Sequence, residues 1–206
     1  MTFIHNFFIL IEPITLLKTL GIAGLFFAIF AESGLFFGFF FPGDSLLFTA
    51  GFLASQNILN IQVILWGAFL CAILGDSIGY WFGRKVGIKI FNKDDSFFFN
   101  RRHIERTEVF YNRYGNKTIF LARFVPIVRT FAPILAGVGN MKYKDFIIYN
   151  MVGGFVWSFV VILAGFFLGR TIPNLDGYLL PIILLIIFIS FLPVIFEIVQ
   201  SRKKAS

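Results

Sequence analysis

Charge is scarce in this chain. Of its 206 residues only 14% are Asp, Glu, Lys or Arg, against 58% that are hydrophobic, and the mean hydropathy is +0.84. A soluble domain carries about 25% charged residues, so the polar surface here is too small to cover a water-soluble globule. Cysteine occurs once, as Cys71 in an apolar run. That excludes an intrachain disulfide and points to no thiol chemistry, metal or cofactor. Histidine occurs only as His5 and His103, neither beside the acids and arginines of the apolar segments. A His-dependent lipid phosphatase is therefore not expected, and the chain reads as a carrier rather than an enzyme. Residues 1–30 lack a basic start and a small-residue cleavage site, so no removable signal peptide is expected. The glycines at 75, 79, 83 and 87 are not followed by a Walker Gly-Lys-Ser/Thr, which excludes a phosphate-binding nucleotide loop. Four-residue spacing instead makes a smooth helix face for close packing.

What is present is apolar sequence in long runs. Residues 20–41, 61–83, 145–169 and 178–200 each reach the ~18 to 20 residues that span ~30 Å of hydrocarbon. Residues 3–17 are interrupted by His5, Asn6, Glu12 and Pro13 and read as an interfacial helix. Residues 42–57 are too short to span and open on Pro42-Gly43-Asp44. Residues 118–139 are apolar but broken by Arg123, Pro126, Arg129 and Pro133. Residues 84–117 carry nine Lys/Arg and read as an amphipathic segment lying on anionic lipid. The net charge of +7 therefore marks topology and lipid contact, not nucleic acid.

Basic loops mark the cytoplasmic side. If 42–57 and 118–139 are both re-entrant, fifteen of the eighteen Lys/Arg fall on one side, including the 84–117 loop and the C-terminal tail. A full crossing by 118–139 would split that set. A shift of 86 residues also aligns Ala50-Gly51 with Ala136-Gly137, Ile61 with Ile147, Gly67 with Gly153 and Phe69 with Phe155. It pairs Gly79 with Gly165 and Gly83-Arg84 with Gly169-Arg170, eight identities over 35 positions. The expected architecture is an all-α polytopic membrane protein built of inverted repeats, each a re-entrant broken helix followed by a transmembrane helix. Within one domain, 1–206, the expected parts are an interfacial helix (1–19), a first repeat (20–83) and the basic segment (84–117). A second repeat (118–169) and an extra C-terminal transmembrane helix (178–200) complete it. The expected location is the bacterial cytoplasmic membrane, and monomer and homo-oligomer both stay open.

Ionisable residues at membrane depth cost ~2.5 to 3.5 kcal/mol each on insertion scales and persist where they pair or line a wet cavity. Here they are Glu32, Asp44, Asp76, Arg123 and Arg129. Burial disfavours the charged form of a carboxyl, as proton coupling requires, so Glu32, Asp44 and Asp76 are the candidate proton carriers. Asp44 alternatively caps the helix that restarts after Pro42-Gly43. Arginine stays protonated and its planar fork takes phosphate through two hydrogen bonds. Arg123 and Arg129 around Pro126, with Thr130 and a further break at Pro133, are thus a candidate phosphate site. Salt bridges from these arginines to Glu32 or Asp44 are the bland alternative, and the two combine if protonation of the acids releases the arginines. Asn150 is expected to bond a freed backbone group, and Trp157 to pack.

Several of these segments together resemble the DedA family of membrane proteins, the SNARE-associated or VTT-domain group. They are Glu32-Ser33-Gly34, Phe41-Pro42-Gly43-Asp44-Ser45, Gly75-Asp76-Ser77-Ile78-Gly79-Tyr80 through Gly83-Arg84, and Ala122-Arg123-Phe124-Val125-Pro126-Ile127-Val128-Arg129-Thr130. Ala136-Gly137 and Asn150 through Trp157 follow in family order. The resemblance implies two opposed re-entrant segments inside inverted repeats. It implies a role in recycling undecaprenyl phosphate or flipping phospholipids, linked to proton motive force. It places the key acids at Glu32 and Asp44 and the key arginines at Arg123 and Arg129. The family commonly has Asn where this chain has Ser33. Family members differ in substrate, so a proton-coupled exporter of a small ion or drug stands as the alternative.

Overall fold

The computed structural model describes residues 13–35, 43–87, 115 and 117–171, all of them helix, turn or coil with no strand. The expected segments 1–12, 88–114 and 178–200, with Pro42, lie outside the described residues. Six helices are defined: α1 (Pro13–Gly34), α2 (Gly43–Ser55), α3 (Ile61–Phe82), α4 (Lys117–Ala122), α5 (Pro126–Val138) and α6 (Tyr143–Thr171). A π-helical turn, Gly83–Gly87, extends α3.

Local chemistry sets these boundaries. α1 joins the expected interfacial segment to the first apolar run across a kink at Gly21, whose φ of +62° suits a residue without a Cβ. Asn60 Oδ1 accepts the backbone N–H groups of Gln62 (2.9 Å) and Val63 (3.3 Å) and so caps the start of α3. α2 and α5 have 13 residues each. At 1.5 Å per residue that is about 20 Å, short of the ~30 Å hydrocarbon layer. Both end on a left-handed asparagine, Asn57 (φ 61°) and Asn140 (φ 53°), and the next residue bonds back to the last turn: Ile58 N–H to Leu53 O, Met141 N–H to Ala136 O. A tight turn then leads into a long helix in each case. Among the described residues two helices, Ile61–Val86 and Tyr143–Thr171, are long and apolar enough to cross a membrane. Along α3, Trp66, Leu70, Leu74, Ile78 and Trp81 form an exposed stripe at spacings of three and four, as a lipid-facing helix surface does.

The chain divides into two compact units. In the first, α2 packs on the second half of α6. A Cβ at Gly51 would overlap the Ile162 carbonyl oxygen, and one at Gly165 would overlap that of Phe48. In the second, α5 packs on the end of α3. A Cβ at Gly137 would overlap the Tyr80 carbonyl oxygen, and one at Gly83 that of Ile134. Gly51 and Gly137 stand 86 residues apart, as do Gly79 and Gly165. Tyr80, Ile119, Ala122, Ala132, Ala136 and Phe146 form the core of the second unit.

One expected break is corrected. Helix α5 runs through Pro133 without interruption. Its ring lies over Gly79, where a Cβ would sit 3.5 Å away, so the bare glycine leaves room for it. The interruption falls earlier, at Arg123-Phe124-Val125, and Pro126 is the first residue of the restarted helix. There its fixed φ suits the helix and its missing N–H leaves no bond unmade.

Candidate functional site

The site lies in the second unit, where α1, α3, α5, α6 and the α4–α5 break contribute side chains. Arg129, on the first turn of α5, forms a buried ion pair with Glu32 on α1. Arg123, at the break itself, forms a second buried pair with Asp76 on α3. The break positions Arg123: Arg123, Phe124 and Val125 donate their N–H groups to Phe120, Leu121 and Ala122 carbonyls in tight turns before α5 begins.

One face of α6 seats the Arg123 guanidinium. Nη1 donates to the Asn150 carbonyl (3.1 Å) and to Asn150 Oδ1 (2.9 Å), while Asn150 Nδ2 donates to the Ile73 carbonyl (3.4 Å). A Cβ at Gly154 would lie 2.8 Å from Nη1, so the glycine makes the space. One turn on, the Trp157 ring lies 5.8 Å from the Arg123 guanidinium carbon and 4.8 Å from that of Arg129. Both cations thus share one aromatic ring within cation–π range. Asp76, Arg123 and Arg129 line a cavity of about 10 Å³ together with Ile119, Ala132 and Pro133. That volume holds about one water.

Of the expected site residues, the structure brings together Glu32, Asp76, Arg123, Arg129, Asn150 and Trp157. Thr130 is buried beside Arg129 in sequence, and its hydroxyl has no hydrogen-bond partner among the described residues. Asp44 belongs to the other compact unit. It stands in the first turn of α2, which begins at Gly43, so it is a first-turn acid rather than the cap. Two expectations are corrected. Asn150 accepts from the Arg123 side chain and donates to the Ile73 backbone carbonyl, which lies within α3 rather than at a helix break. Trp157 does more than pack: it faces both arginines. The role of Gly154 was not foreseen, although Asn150, Gly153, Gly154 and Trp157 fall at i, i+3, i+4 and i+7, a single helix face that the sequence displays.

Buried arginine–carboxylate pairs beside a small cavity are neutral as a set. Two positive and two negative groups cancel, and each charge has the partner that burial demands. The arrangement can exchange one negative partner for another, or for a proton on the acid.

The model of the VTT domain matches residues 41–167. Protein DedA of Escherichia coli K12 is 45% identical over 184 residues, covering 88% of this chain and 84% of that one. An uncharacterized membrane protein of Mycobacterium tuberculosis is 42% identical over 187 residues, covering 88% and 82%. One from Synechocystis is 32% identical over 158 residues, covering 76% and 71%. No solved structure matches the chain. With its apolar spanning helices and these relatives, the chain is a membrane protein and belongs to the DedA family of VTT-domain proteins.

Proposed function

We propose that this protein moves an anionic lipid across the cytoplasmic membrane by its phosphate head group, in exchange for protons. The observation that carries this reading is the pairing of Arg129 with Glu32 and of Arg123 with Asp76, the second pair and Arg129 bordering one cavity. Protonation of an acid removes its claim on an arginine. The released guanidinium then takes a phosphate oxygen, to which its fork is suited, while Asn150 and the Trp157 ring hold it in place. Glu32 and Asp76, the acids bonded to the arginines, are the proton carriers. Thr130 offers a further hydroxyl.

Charge balance ties proton number to lipid class. Two protonated acids leave the set at +2, which a phosphate monoester of about −1.5 to −2 neutralises. Undecaprenyl phosphate is such a monoester, whereas a phospholipid diester bears one negative charge and needs one proton. The lipid tail stays in hydrocarbon, so only the head must cross. The lengths of α2 and α5 and the matched glycine contacts of the two units support re-entrant segments within inverted repeats, with the basic loop and C-terminus facing the cytoplasm. No bond in the lipid is made or broken.

The test is a reconstituted-vesicle assay of undecaprenyl phosphate and phosphatidylethanolamine movement, with and without a pH gradient. Undecaprenyl phosphate movement that responds to the gradient and is lost in Arg123→Ala and Arg129→Ala supports the proposal. Movement that neither substitution changes refutes it, and release of phosphate from labelled lipid would make the protein an enzyme instead.

A further inference from the structure

The end of α3 and the start of α6 meet in a cluster that the transport site does not use. Tyr80 donates its hydroxyl hydrogen to the Met141 carbonyl, stacks on Phe146 with centroids 4.7 Å apart, and accepts a hydrogen bond from Arg84 Nη1 (2.8 Å). Tyr143 donates to Ser77 Oγ (3.3 Å) and lies against the Trp81 ring at 5.5 Å. These contacts fix one helix end to the other. On the fixed frame stand cations. The Arg84 guanidinium carbon is 5.9 Å and the Lys85 ammonium 6.0 Å from the Trp81 ring centre. Lys142 and Lys144 flank Tyr143, and all four cations are exposed. None has a carboxylate partner among the described residues, and Asp145 is the one acid beside them. Arg84 uses one of five donors, so most of its fork is unspent. Trp81 is 43% exposed and Phe82 46% exposed.

Exposed aromatic and cationic groups side by side at the end of an apolar helix match both phases of a lipid: rings for the acyl boundary, cations for the head. We propose that Trp81, Arg84, Lys85 and Tyr143, with Lys142 and Lys144 at the margin, form a docking site for the phosphate head group of an anionic phospholipid in the adjacent leaflet. Charge complementarity selects the occupant: among the described residues of the cluster, four cations against one acid leave a surplus of three. A zwitterionic lipid carries its own cation and cancels little of it. The site is independent of lipid transport and retains its ligand whether or not the buried arginines move one.

The protein with Trp66→Phe and Trp157→Phe keeps Trp81 as its one tryptophan, which is excited selectively over the tyrosines at the red edge of its absorption. It is reconstituted in phosphatidylcholine vesicles doped with brominated phosphatidylglycerol or, at equal mole fraction, brominated phosphatidylcholine. Quenching of Trp81 should report an apparent affinity for the anionic lipid greater by about fivefold for each cation engaged. The preference should fall in Arg84→Gln/Lys85→Gln and shrink as salt rises. Equal quenching by the two lipids, or a preference indifferent to the double substitution, overturns the proposal. Native mass spectrometry on the chain with all three tryptophans gives a second reading should the single-tryptophan form not fold. Retained phosphatidylglycerol that Lys142→Gln/Lys144→Gln weakens and Arg84→Gln/Lys85→Gln removes supports the site, and retention unchanged in both overturns it.

Discussion

Replacing Arg123 by Met and replacing Asp76 by Asn break the same ion pair, and the structure makes the two changes unequal. Arg123 is the only hydrogen-bond or ion-pair partner of Asp76 among the described residues. Its loss strands a buried carboxylate, which costs about 3–5 kcal/mol. Arg123 is better provided for. After Asp76→Asn it keeps both bonds to Asn150 and the Trp157 ring, and the new amide oxygen still accepts. Bonds to a charged group are worth about 1.5–3 kcal/mol each, so Asp76→Asn should cost only about 1–2 kcal/mol. The double variant removes both charges and should recover about 2 kcal/mol relative to Arg123→Met alone. Equilibrium unfolding in mixed detergent micelles measures all three variants. A double variant no more stable than Arg123→Met would refute this account of the pair.

Trp157→Leu should weaken apparent affinity for the anionic lipid by roughly 2- to 30-fold, the worth of ~0.5–2 kcal/mol of cation–π attraction. Trp157→Phe should keep most of it, and half-saturation against maximal rate in the vesicle assay separates the two. Gly137→Ala should destabilise by about 1–3 kcal/mol through overpacking on the Tyr80 carbonyl. Gly153→Ala, whose Cβ would sit 3.4 Å from Arg123 Cδ, should cost much less in the same equilibrium unfolding measurement. Glu32→Gln combined with Asp76→Asn should leave lipid movement that no longer responds to a pH gradient. A response of wild-type size would show that other groups carry the protons.

The long apolar runs announced α3 and α6 because a bilayer span is a matter of length and composition alone. The break around Arg123 was legible from Pro126, since that ring can begin a helix but not easily sit within one. Pro133 misled for the same reason. Whether a proline breaks a helix depends on what lies against it, and Gly79 is far away in sequence. Charge at membrane depth drew attention to Glu32, Asp44, Asp76, Arg123 and Arg129, and the structure pairs Glu32 with Arg129 and Asp76 with Arg123. Which acid meets which arginine was not legible. The partners are separated by 47 and 97 residues, and pairing depends on how each helix is rotated about its axis. Asn150 and Trp157 were visible as residues on one helix face, but only the position of the guanidinium groups gives that face its purpose.

The glycine contacts of α2 and α5 carry a consequence for biogenesis. α2 is made early, yet the groove that receives Gly51 is formed by Ile162, near the end of the described chain. α5 instead finds its groove on α3, already made. An emerging chain must therefore hold α2 without its final neighbour until α6 leaves the ribosome, in the interval when a chaperone or insertase has most to do. Severing the chain between α3 and α4 would give two pieces that each lack a surface the other supplies, so neither should mature unless both are produced together.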